Sequence, residues 1–197
     1  MSKTHRKNSK TFVIGTILVL AVSFYLIKNS GRDHQKYQTF KSENPAFNFT
    51  FEYPETWKIR ETEGKTDPYA MVHATGPRDN QKEFSVGFFI TVKDIENQTS
   101  DRLLADHLKS VERFKNFKIV EQKKNRINGE TNPFAIYQYI LMLPFQKIGA
   151  QAELVKTETG FVVQGEKSYH LNFVGTEKQF EKYKPVFQKV LTTFRFN

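Results

Sequence analysis

The 197-residue chain is long enough for one domain with appendages, and 30 basic against 21 acidic residues give it a net charge of +9. It has no cysteine, which excludes disulfides, thiolate metal sites and lipid attachment through a cysteine. The charge does not point to nucleic acid. Removing the eight basic and two acidic residues of positions 1–45 leaves 22 basic and 19 acidic residues in 46–197, so the excess surrounds the N-terminal part. Lysine also outnumbers arginine, whereas base-edge and bidentate phosphate recognition favours arginine.

In chain order, a basic tail (1–10, with Lys3, Arg6, Lys7 and Lys10) precedes seventeen uncharged residues, Thr11 to Ile27. A helix of that length is roughly 25 Å long, near the lower limit for crossing a bilayer core. Apolar residues occupy every face, and Lys10 and Lys28 bracket the segment, so it reads as a transmembrane signal anchor in contact with membrane lipid. Ala21-Val22-Ser23 offers a cleavage site, but Phe24-Tyr25-Leu26-Ile27 carries the apolar run past it, which favours retention. Basic residues flank both ends almost equally. Because long domains translocate largely regardless of charge, the expected topology is a cytoplasmic N-terminus with the domain outside the cytoplasm.

Residues 28–45 are polar and aperiodic, and read as a flexible tether reaching about 23 Å. The domain then occupies 46–197. Phe47, Phe49, Phe51 and Tyr53 alternate with polar residues as one aromatic strand face, and Trp57 to Arg60 begins a return strand after Pro54-Glu55. Met71 to Thr75 is a short strand closed by Gly76-Pro77, and Phe84 to Val92 is a longer one. A helix capped by Ser100 carries the apolar stripe Leu104, Leu108, Val111 and Phe114. Phe117 to Ile127 and Pro133 to Leu143 flank an Asn128-Gly129 hairpin turn. Strands follow near Gln151–Lys156, Phe161–Gln164 and Ser168–Val174. A last helix has capping-box spacing at Thr176 and Gln179 and a stripe from Phe180 to Phe194, with a kink or break expected at Pro185. Apolar residues on both faces of 134–143 place that strand centrally, under cover on both sides. The fold class is therefore α+β: an antiparallel sheet with a helix on each face, an α/β/α sandwich.

This order of elements resembles the PsbP-like family. The residues carrying the likeness are the opening Phe47 to Ile59 (FNFTFEYPETWKI) and the closing Phe187 to Phe196 (FQKVLTTFRF), with the two-helix placement and the Asn-Gly hairpin between them. The resemblance implies a fold shared with a Ran-binding family, bacterial envelope lipoproteins and secretion chaperones. It also implies a non-enzymatic protein beyond an energy-transducing or envelope membrane, helping to assemble or stabilise a complex. Unlike many such proteins, this chain lacks a lipid-anchor cysteine.

Residue types that carry chemistry are sparse. None of the five histidines has metal-ligand spacing; His107 flanks the first helix's stripe, and His73 and His170 fall on strands. Asp94 and Glu96 form a weak candidate cation site, as the resemblance also implies for calcium or manganese, but an isolated loop pair is more often solvated surface. Neither a nucleophile elbow nor a phosphate-cradling glycine loop occurs, so no catalytic residue and no cofactor is expected. Asn48 and Asn97 head glycosylation triplets, Asn97 in a loop and Asn48 in a strand. Lys123, Lys124 and Arg126 form a basic run before the hairpin, able to dock on an acidic partner or on the membrane surface. The expected role is an accessory or assembly subunit of an integral membrane protein complex, with a small-molecule or lipid carrier as the alternative.

Overall fold

The computed structural model describes residues 35–64, 69–79, 84–142 and 152–197. The chain divides into units 1–36 and 37–197. The apolar segment Thr11–Ile27 and its basic tail lie outside the described residues, and no helix among those described is long and apolar enough to cross a membrane. The elements of the second unit are β1 (Tyr37–Phe40), β2 (Phe49–Pro54), β3 (Lys58–Glu63), β4 (Ala70–Asp79), β5 (Phe84–Asp94), α1 (Ser100–Val111), β6 (Lys118–Ile127), β7 (Glu130–Met142), β8 (Ala152–Gln164), β9 (Lys167–Thr176), α2 (Glu177–Thr193) and β10 (Arg195–Phe196).

Seven strands form an antiparallel sheet in the order β3-β4-β5-β9-β8-β7-β6. Side chains alternate across it, so successive residues settle which helix each face meets. Phe134 and Ile136 of β7 join Phe88, Leu171 and Phe173 in the main core with Phe180, Phe187, Val190 and Leu191 of α2. Their neighbour Ala135, with Phe161 of β8, instead packs on Leu103, Leu104 and Leu108 of α1. The helices thus lie on opposite faces, as the two-sided apolar pattern of β7 requires. β7 is not central, however: it is second from the edge, beside β6.

β2 does not join this sheet. It pairs with β1 and β10 in a separate three-stranded sheet that closes the main core on the α2 side. Trp57 to Arg60 therefore does not return alongside β2; β3 pairs with β4 instead. The alternating aromatics explain the choice, because one side of β2 is a slab of Phe49 and Phe51 that stacks on Phe194 and Phe40 and meets Phe88 edge-on. Residues 37–45, expected in the tether, belong to the domain. Phe40 is buried on Phe51 with ring centroids 4.8 Å apart, and the Ser42 hydroxyl donates to the Glu61 carboxylate at 2.8 Å.

Other boundaries move for local reasons. β4 continues through Gly76-Pro77 because a bulge between Thr75 and Arg78 accommodates a residue that lacks an N–H. β8 is one thirteen-residue strand across the expected gap at 157–160. Gly160 sits there because the Phe134 ring lies over it, 2.5 Å from where a Cβ would be. Asn128 and Gly129 take φ of 49° and 88°, the paired positive values of a tight hairpin joining β6 to β7. Thr99, not Ser100, caps α1, accepting from the Arg102 N–H at 3.3 Å. Phe114 lies beyond the helix and is exposed. The capping box of α2 is complete. That helix runs unbroken past Pro185, which faces solvent, where water can take the carbonyl freed by the missing N–H.

Candidate functional site

Polar chemistry gathers where α1 meets the sheet. His107 projects from α1 onto β7, β8 and β9, because its position beside Leu104 and Leu108 points it at the same face. Its Nε2 shares a 3.0 Å hydrogen bond with the Tyr137 hydroxyl of β7. Its ring lies 4.7 Å from that of His170 on β9 and 5.8 Å from Phe161 on β8. Phe161 and His170 stack almost parallel, 4.3 Å apart, since they are cross-strand partners on one face. The Thr159 hydroxyl lies 2.7 Å from His170 Nε2.

This cluster floors a cleft of roughly 450 Å³ between α1 and strands β5 and β9, with Thr91, Lys93, Asp106, Ser110 and Ser168 around it. Burial pushes the His170 imidazole down to about 3, with help from His107 and Lys93, so the ring is neutral at ordinary pH. Burial lowers His107 as well and raises the Tyr137 hydroxyl. A threonine hydroxyl against a neutral imidazole is the beginning of a nucleophile–base pair. Thr159, however, is 0% exposed, so no substrate reaches its oxygen. The cluster pins α1 to the sheet and presents ring faces, rather than a nucleophile, to the cleft.

No protein-family model matches the chain, and no curated protein sequence matches it. Solved structures do. The solution structure of cyanobacterial PsbP (CyanoP) from Synechocystis sp. PCC 6803 superposes with a TM-score of 0.53 at 13% identity, covering 85% of this chain and 96% of that one. The crystal structure of LpqN, involved in cell envelope biogenesis of Mycobacterium tuberculosis, gives 0.54 at 12% identity, covering 84% and 92%. The fold is PsbP-like. At such identities the likeness is one of fold, and a fold by itself assigns no partner.

The PsbP-like domain separates residues that sequence grouped together. The basic run on β6 alternates between faces. Lys123 turns inward and its Nζ meets Glu158 Oε1 at 2.7 Å, while Lys124 and Arg126 stay exposed. The expected three-residue surface therefore has two members. Glu158 is 0% exposed, and its Oε1 also accepts from Asn125 Nδ2 at 3.2 Å and Gln188 Nε2 at 3.1 Å. This polar knot ties β6, β8 and α2 together, and the sequence had no sign of it beyond a glutamate at an apolar-face position of β8.

Asp94 is engaged by Lys167 at 3.0 Å rather than poised with Glu96, which is exposed in the turn after β5. Among the described residues no cluster of three or more histidine, aspartate or glutamate side chains is placed to hold a metal ion. Asn97 occupies an exposed turn with φ of 49°. Asn48 stands just before β2, not in it, and is exposed with its amide donating to the Asn197 carbonyl at 3.3 Å. His73 does not meet His170; β5 lies between their strands, and His73 packs on Phe89 at 4.8 Å. The histidine that does meet His170 comes from α1. That pairing had a sequence signal only in the position of His107 beside an apolar stripe.

Proposed function

We propose that this chain is a non-enzymatic accessory protein outside the cytoplasm, held in the bilayer by residues 11–27, that assembles or stabilises an integral membrane protein complex. The observation that carries the reading is the inward commitment of the site's chemistry. Both hydroxyl–imidazole contacts of the cluster, Thr159 with His170 and Tyr137 with His107, have buried hydroxyl residues, and they hold α1 in place. The PsbP-like fold supports it, since one structure of that fold takes part in cell envelope biogenesis. The apolar segment and the basic residues around it support the anchor.

The test is protease treatment of intact cells or sealed vesicles carrying the full chain, reading fragment size and membrane retention. Digestion of the domain from outside, with a membrane-held N-terminal fragment left behind, is the expected result. Protection of the domain until the membrane is broken sinks the reading. A small-molecule or lipid carrier is the second reading, favoured by the cleft beside α1. Solvent extraction and mass spectrometry of the purified protein decide it: a stoichiometric ligand supports a carrier, and an empty domain dismisses it.

A further inference from the structure

We propose that the half of the sheet face beside α1 that no described helix covers is a docking surface for one acidic amphipathic helix of a partner protein, laid beside α1. The inference rests on the accessory-domain reading and specifies where that domain binds.

α1 packs on β7 and β8 through Leu104 and Leu108 on Ala135 and Phe161, and its His107 ring reaches His170 of β9. On the same face, Met71, His73, Phe89 and Thr91 of β4 and β5 remain partly exposed. Their neighbours on the opposite face, Val72, Ala74, Phe88 and Ile90, are fully buried. The face is thus apolar and aromatic at its centre, where the His73 and Phe89 rings, cross-strand partners, lie 4.8 Å apart. From β3 to β5 there are two strand spacings of about 4.8 Å, roughly 10 Å in all, which is room for one helix about 10 Å across.

The register shows which charge such a helix carries. β3 alternates so that Lys58 and Arg60 point to this face, opposite Thr75 and His73, while Glu61 and Glu63 point to the other. There, Ser42 and Asn44 engage the two glutamates. Across positions 58–62, 71–75 and 85–93 this face carries Lys58, Arg60 and Lys93 and no carboxylate. A helix with an apolar stripe over Phe89 and glutamate or aspartate along the flank nearest β3 is complementary in shape and charge.

The experiment uses the full chain in its own membrane, with Met71→p-benzoylphenylalanine or Phe89→p-benzoylphenylalanine as photocrosslinking variants and Lys182→p-benzoylphenylalanine on exposed α2 as the comparison. The expected result is a crosslink from Met71 and Phe89 whose attachment point, mapped by mass spectrometry, falls in an acidic amphipathic helix. Adding Lys58→Glu and Arg60→Glu is expected to cut the yield by about tenfold or more, because like charges facing across an interface oppose association. An unchanged melting temperature in that double variant shows that the loss is not unfolding. Crosslinks to lipid, to a second copy of this chain or to a basic segment overturn the proposal, as does a yield indifferent to the two reversals. Crosslinks from Lys182 alone overturn this surface and leave the accessory reading standing. No crosslink from any of the three positions overturns both.

Discussion

Lys123 Nζ lies 2.7 Å from Glu158 Oε1, across two strands that are not neighbours, with β7 between them. Removing one partner of a buried pair strands the other charge, so Lys123→Met is expected to lower stability by about 3–5 kcal/mol. Lys124→Met, on the solvent side of the same strand, is expected to change it by no more than about 0.5 kcal/mol. Urea titration of both variants checks this. Equal, small effects would mean that Lys123 is a surface residue after all.

Stability is expected to fall in mild acid because of His170. Its folded pKa, about 3, lies below the ordinary 6.5, so the unfolded chain takes up the proton first. The contribution is complete above about pH 6.5 and is lost as pH drops towards 3, at about 1.4 kcal/mol per pH unit. Denaturation midpoints at pH 7, 5.5 and 4.5 give the slope, which His170→Gln is expected to flatten. A wild-type slope unchanged by that substitution would assign the acid sensitivity to other groups.

Truncation distinguishes a tether that ends at Lys36 from one that ends at Pro45. A chain beginning at residue 37 keeps β1 and is expected to melt like the full-length domain. A chain beginning at residue 46 loses Phe40 from its stack on Phe51. The loss is expected to resemble Phe40→Ala, about 3–5 kcal/mol. Identical melting curves for the two truncations would make β1 dispensable.

Gly160 cannot accept a methyl group without a shift, because the Phe134 ring already occupies its place. Gly160→Ala is expected to cost about 1–3 kcal/mol through overpacking. Smaller Phe134 variants would relieve that clash while opening a cavity of their own. A double-mutant cycle of Gly160→Ala with Phe134→Leu, followed by calorimetry, is expected to show coupling between the sites. Strict additivity would rule out the contact as the cause.

What the sequence determined by itself was everything governed by near neighbours along the chain. Alternation in 47–53 and 84–92 marked two strands, the capping box at Thr176 and Gln179 marked the start of α2, and Asn128-Gly129 marked the hairpin. Two apolar faces on β7 were enough to place one helix on each side of the sheet. These signals are local because backbone dihedrals, caps and face periodicity depend on residues within about one turn or one strand. Only the tertiary structure decided which strands pair, and so it moved β2 into a separate sheet and brought residues 37–45 into the domain. It also turned Lys123 inward to Glu158, brought His107 rather than His73 to His170, and left half of one sheet face without a described helix over it. Those outcomes depend on contacts between residues distant in sequence, where burial of the whole aromatic core outweighs the preference of any single segment.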